Sequence, residues 1–327
     1  MNTIKALVFV IIMVSLTGCG KFVSVHFKAI DEDGSPVAHA QATVGYSHGY
    51  TWTNSGKEYV KKGDTDELGM HYYSALVPYR ESIIPFMHMD EIEDIFSLFK
   101  KEGYYDSRPQ YIKDKDVGDG RWVKDSAPMV VLLRKKLNPI PMYARHTLLS
   151  RIDIPVVDKE VGFDLIKFDW VSPYGKGIIA DFIFKLERDY KAYNNFTSTL
   201  TVTFSNKFDG MQVHEENREH GSLLRLPRFA PESGYLPKFQ FTKGWDPLKG
   251  NQEWNKKENN YFFRVRSEEK NGKFVQAMYG KIHGDIRLDP RGSEKAAIVF
   301  KYYLNPDYTR NMEFGRNLFK DQNIGTD

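Results

Sequence analysis

Cysteine is almost missing from this sequence: Cys19 is the single one in 327 residues. In a chain cut before that residue, disulfides, thiolate metal sites, CxxC redox chemistry and a cysteine nucleophile elsewhere are all excluded. The short motifs of phosphate and acyl chemistry are missing too, since no GxSxG, P-loop or GxGxxG occurs. Neither sign of charge dominates: 46 Lys and Arg stand against 43 Asp and Glu, interleaved to a net +3. That balance excludes a dedicated nucleic-acid binder. Apolar runs are short, and the longest, Ala6 to Val14, covers about half of a roughly 30 Å hydrocarbon core. Nothing in the sequence names a cofactor or a metal, and no catalytic residue can be assigned from it.

What is present begins with an address. Lys5 precedes the apolar run, and Ser15-Leu16-Thr17-Gly18 leads directly into Cys19. This layout over residues 1–18 is that of a secretory signal peptide. Leu16-Thr17-Gly18-Cys19 resembles the lipobox of bacterial lipoproteins at each of its four positions. The resemblance implies cleavage before Cys19 and acylation of its thiol, a natural use for a lone cysteine in an exported chain. At least two acyl chains result from such processing, enough for stable anchoring. Gly20 follows in place of the Asp that retains lipoproteins at the inner membrane, so the family's sorting logic implies the outer membrane.

Aromatics at 14%, with 19 Tyr and 22 Phe, lean toward β structure, and the length allows two domains at about 150 residues each. The expected fold class is mainly β: an N-terminal β-sandwich over 19–136 with one inserted helix, a Pro-containing linker over 137–160, and a loop-rich β domain over 161–327. Val23, Val25, Phe27 and Ala29 alternate with Ser24, His26 and Lys28, a half-buried strand. Further strands are expected over 40–46, 70–77 and 129–133. Asp31-x-Asp33-Gly34-x-Pro36-Val37 and Thr65-Asp66-x-x-Gly69 supply turns. Those turns after a strand resemble the carboxypeptidase-regulatory-like, transthyretin-like modules of exported bacterial proteins, over about residues 22–77. The resemblance implies a scaffold or interaction role without catalysis. Met89, Ile92, Ile95, Phe96 and Phe99 fall at helical spacing, which predicts the inserted helix over 88–101.

Pro139 and Pro141 mark the linker. In the second half, strands are expected over 178–185, 197–204 and 296–304, and a hairpin of 261–265 with 274–282 closing through Asn271-Gly272. Residues 205–260 read as long loops.

Candidate site residues are few. His214 to His220 lacks the HExxH spacing, and Asp114 to Asp125 lacks the order of an EF-hand loop, so both read as polar surface and no metal site is expected. Asp31 and Asp33 read as turn formers. Tyr174-Gly175-Lys176-Gly177 could touch an anion but reads as a turn. Trp245, Trp254 and Tyr235 lie in the loop-rich stretch and could form a ligand-contact surface, against the simpler reading that they pin its loops to the sheet. The expectation is a lipid-anchored, non-catalytic envelope protein that reaches the membrane through Cys19 and binds a protein or glycan partner. The alternative is an envelope glycan or peptidoglycan hydrolase with carboxylates in the 205–260 loops.

Overall fold

The computed structural model describes residues 20–50, 57–78, 92–109, 128–147, 152–216, 221–253, 259–289 and 296–320. The signal-peptide stretch with Cys19, the Asp114 to Asp125 segment, and Trp254 lie outside the described residues. The chain forms two compact units, Met1–Lys135 with Arg218–Leu223, and Lys136–Asn217 with Leu224–Asp327. Among the described residues both are built from strands, and no α-helix occurs.

Unit one contains β1 (Gly20–Ile30), β2 (Gln41–Tyr50), β3 (Lys57–Asp64), β4 (Met70–Pro78), β5 (Ile92–Lys100) and β6 (Met129–Leu132). They form two three-stranded sheets, β4-β1-β6 and β3-β2-β5. Val23, Val25, Phe27, Tyr73 and Val131 of the first sheet share one core with Ala42, Val44, Tyr46, Ile95 and Phe99 of the second. Two turns join these layers. Asp31 Oδ1 accepts the N–H groups of Asp33 and Ser35, and Asp66 Oδ1 accepts those of Leu68 and Met70. Both are carboxylates closing their own turns, as their spacing suggested. Thr65 Oγ1 donates to Val37 O and accepts from Ala40 N, which ties the second turn to the first. Gly69 has φ +74° and its carbonyl accepts the Ala29 N–H, so a side chain there would be both strained and blocked by the Ala29 carbonyl.

Of the helix expected over 88–101, residues 88–91 lie outside the described residues and Ile92–Lys100 form strand β5. Its described side chains alternate, Ile95, Ser97 and Phe99 inward and Phe96 and Leu98 half-buried outside. Phe96 is apolar on the outer face because it covers Gly45 directly opposite on β2. That extra apolar residue turns a period of two into the appearance of a helical period.

Unit two contains β7 (Ile140–His146), β8 (Ile152–Asp153), β9 (Glu160–Asp164), β10 (Asp169–Trp170), β11 (Phe182–Ala192), β12 (Asn195–Thr203), β13 (Gly210–Glu215), β14 (Lys238–Asp246), β15 (Gly250–Glu253), β16 (Asn259–Lys270), β17 (Lys273–Ile282), β18 (Arg287–Asp289), β19 (Ala297–Val299), β20 (Lys301–Asn305) and β21 (Phe314–Asn317). Two six-stranded sheets, β10-β9-β11-β12-β14-β15 and β13-β16-β17-β20-β7-β21, enclose the main core around Phe163, Phe182, Phe184, Phe263 and Phe300. A small sheet, β18-β19-β8, adds Ile152, Leu288 and Ile298 to it. Met142, Phe262, Tyr303 and Phe314 form a second core on the other face of the second sheet.

The expected hairpin is present and closes through Asn271 and Gly272, both at positive φ, with its strands running on through the polar residues on either side of that turn. The 137–160 stretch is not a linker, for it carries β7 and β8 and ends in β9. Pro141 is tolerated because β7 pairs with β20 only from Tyr143 onward, while the pairing with β21 is irregular where Pro141 lies. The 205–260 stretch holds long loops as expected, and it also supplies β13, β14 and β15. The strand expected over 178–185 begins four residues later. Ile178 and Ile179 give their N–H groups to Asp164 Oδ2 and not to a ladder.

Candidate ligand-contact surface

Hairpins β11–β12 and β14–β15 turn at the same end of the first six-stranded sheet, because β12 pairs with β14 and sets Phe196 opposite Trp245. Directly opposite residues of an antiparallel pair share a face. Leu186, Leu200 and Phe241 therefore form the last row of the core. Arg188, Ser198 and Lys243 make the next row, and Tyr190, Phe196 and Trp245 the row after that. Tyr190 stacks on Phe196 with ring centroids 6.1 Å apart, and the Arg188 guanidinium lies 4.2 Å from the Tyr190 centroid. At the tips, Tyr193 is 62% exposed and Leu248 97% exposed. The β14–β15 turn is firm: Asp246 Oδ1 accepts the N–H groups of Leu248 and Lys249, which hold its carboxyl below the ordinary range.

Trp245 is thus a strand residue beside a ring stack. Phe196 opposite it, and Tyr190 and Arg188 beyond Phe196 on β11, do not stand out as site residues in the sequence. The signal was present in the alternation of Leu186, Arg188 and Tyr190 with Glu187, Asp189 and Lys191, which carries the strand past Lys185.

Tyr235 is placed elsewhere. Its hydroxyl donates to Pro231 O, its ring meets Tyr279 edge-on at 6.2 Å, and Arg264 lies 4.6 Å above it. Burial raises its pKa. Tyr235 pins the segment before β14, and the structure does not bring it to Trp245.

The buried carboxylates are committed to the fold. Asp164 accepts N–H groups from Ile166, Lys167, Ile178 and Ile179 and a bond from Arg266 Nη2 at 2.9 Å. Burial raises its pKa, but those donors and the Arg266 charge outweigh it and hold the carboxyl low. Asp181 accepts Leu165 N and a two-pronged grip from Arg266 Nε and Nη2, yet burial still pushes its pKa up. Asp209, buried within 205–260, accepts Ser267 N and Asn206 Nδ2. Glu313 takes Leu137 N, Asn138 N and Arg228 Nη1. Among the described residues no group of three or more His, Cys, Asp or Glu is placed to hold a metal ion, and no helix is long and apolar enough to cross a membrane.

No family model and no curated protein matches the chain. Three solved structures show a distant likeness. A 3-chlorocatechol 1,2-dioxygenase from Rhodococcus opacus 1CP is 16% identical over 37% of this chain and 62% of its own, with a TM-score of 0.24. A catechol 1,2-dioxygenase from Pseudomonas arvilla C-1 is 14% identical over 38% and 55%, at 0.23. One from Acinetobacter sp. ADP1 is 15% identical over 40% and 46%, at 0.20. This chain spans less than two thirds of each, and at these scores neither family nor activity follows.

Proposed function

We propose that the protein is a lipid-anchored cell-envelope protein whose role is binding and not catalysis. The observation that carries this is Leu16-Thr17-Gly18-Cys19 behind a basic and apolar leader, with the chain's one cysteine at the cleavage point. Gly20 in place of Asp supports the outer membrane as its destination. Unit one then acts as a transthyretin-like sandwich module, a spacer with two shared turns. Unit two offers a protein or glycan partner the hairpin end with Tyr190, Tyr193, Trp245 and Leu248. The non-catalytic part of the reading is supported by the carboxylates: Asp164, Asp181, Asp209 and Glu313 each spend their oxygens on backbone N–H groups or on Arg and Asn side chains.

The test is Cys19→Ser in the natural host. Mature protein from the wild type should carry an acylated N-terminal cysteine by mass spectrometry and fractionate with membranes. The variant should accumulate as uncleaved, unacylated precursor. Membrane fractionation of a mature-length variant would sink the anchoring reading.

A further inference from the structure

Unit two holds a second surface that the hairpin end does not explain. Tyr174, Ile178 and Ile179 stand out from the loop between β10 and β11, at 41%, 70% and 41% exposure. Exposed aliphatic side chains are stabilised on leaving water for an apolar medium. This loop is also held unusually firmly. Asp169 Oδ2 accepts Lys176 N at 2.8 Å, Gly177 N donates to Trp170 O at 2.8 Å, and Asp164 Oδ2 takes both isoleucine N–H groups at 3.0 and 3.1 Å. Arg266 clamps Asp164 and Asp181 together beneath it. Gly175 and Gly177 have no room for a side chain, because a Cβ on either would run into Asp169 and the Trp170 carbonyl. The floor is Trp170, packed edge-on against Phe163 at 5.1 Å.

The charge pattern around the tip is asymmetric. Asp164, Asp169 and Asp181 lie at the base, occupied by N–H donors and Arg266. Lys167 and Lys176 are exposed on and beside the loop, whereas Asp169 is half-buried. Aliphatic groups at a rigid tip, a tyrosine beside them and lysines on the rim form the chemistry of the bilayer interface: apolar groups enter the acyl boundary, tyrosine sits at headgroup depth and ammonium groups meet phosphates. A loop already ordered loses little conformational entropy on insertion.

We propose that the Tyr174–Ile179 loop inserts into an anionic lipid surface. This rests on the envelope reading for the presence of a bilayer, but its test does not depend on acylation. The mature chain from Gly20, which contains every described residue and no lipid, is sedimented with vesicles of phosphatidylglycerol and phosphatidylethanolamine and with vesicles of phosphatidylcholine. Wild type should partition to the anionic vesicles, and Ile178→Ser with Ile179→Ser should lower the partition coefficient by about tenfold or more. Lys176→Gln should lower it by about fivefold and flatten its dependence on salt. Both isoleucines are exposed, so the double variant should melt as wild type does. Absence of wild-type binding, or equal binding by the double variant, overturns the proposal. A wild-type dimer that the double variant converts to monomer, without vesicle binding, overturns it in favour of a face between copies. Failure of Cys19 acylation would leave the vesicle result standing.

Discussion

Lys281 in β17 is buried and Lys301 in β20 half-buried. A lysine within a strand reads as an outward residue, yet Lys281 is 1% exposed, with Nζ 3.3 Å from the Arg225 carbonyl and 5.3 Å from the Tyr303 ring centroid. Its acceptor is 56 residues away in sequence, so no local pattern could reveal it. The same holds for Arg266, whose partners Asp164 and Asp181 are 102 and 85 residues distant. Lys301 lies 5.7 Å from the same tyrosine ring, and burial together with the Arg225 charge lowers its pKa to about 8. In the unfolded chain a lysine titrates near about 10.4. Between those values the unfolded state binds more protons than the folded one, so stability rises with pH across that window. The penalty for charging Lys301 is fully present below about 8 and gone above about 10.4. His146, lowered by burial and then by Lys301 and Arg287, acts with the same sign at lower pH. Tyr302 and Tyr303, raised by burial, oppose the trend once tyrosines ionise near about 10. Thermal midpoints of wild type and Lys301→Met should therefore converge as pH rises from about 8 to about 9.5, with the variant the flatter of the two. Parallel curves would show that Lys301 titrates as an exposed lysine does.

At the level of elements, most strands with clean alternation were legible, and the failures have two physical sources. Alternation identifies a strand when one face is apolar and the other polar, and it fails when a ring is needed on the outer face. Phe96 over Gly45 is one case, and Phe263 over Gly280 is the buried counterpart, the two residues directly opposite in the β16–β17 pair. A glycine in a strand leaves a gap that an aromatic residue across the ladder fills. Short strands such as β8, β10 and β15 escaped notice because two to four residues hold too few positions to show a period. The hairpin end of the first sheet was half legible: Trp245 stands out by residue type, but its partners depend on the β12–β14 register. Gly280→Val should drive a methyl group into the Phe263 ring, which is fully buried and has no space to retreat. Overpacking of this kind costs about 1 to 3 kcal/mol, so the thermal midpoint should drop by several degrees. A midpoint unchanged within error would mean that Phe263 does not rest on Gly280.

At the level of the whole molecule, the chain divides between Lys135 and Lys136, where the sequence offered only the prolines at 139 and 141. Pro139 precedes β7 and Pro141 is its second residue, and the division comes before both because Leu137 and Asn138 are already bound to Glu313 of the second unit. The sequence could not show a second feature of the division. Residues Gly221 to Leu223 return to the first unit, where Gly221 O accepts Arg108 N, Ser222 bridges to Ser107, and Leu223 N donates to Asp106 O. Each unit has its own core, with buried rings at its centre. Phe99 is fully buried 5.2 Å from Phe27, and Phe184 is fully buried 5.9 Å from both Trp170 and Phe182. Truncating a buried phenylalanine costs about 3 to 5 kcal/mol, which in domains of this size moves a transition by about 10 °C or more. Calorimetry on the full chain should resolve two transitions, with Phe99→Ala lowering one and Phe184→Ala lowering the other. If both variants shift a single shared transition, the cores melt cooperatively and the division between Lys135 and Lys136 does not mark separate folding units. If Phe99→Ala alone moves both, the return of Gly221 to Leu223 couples the second unit's unfolding to the first.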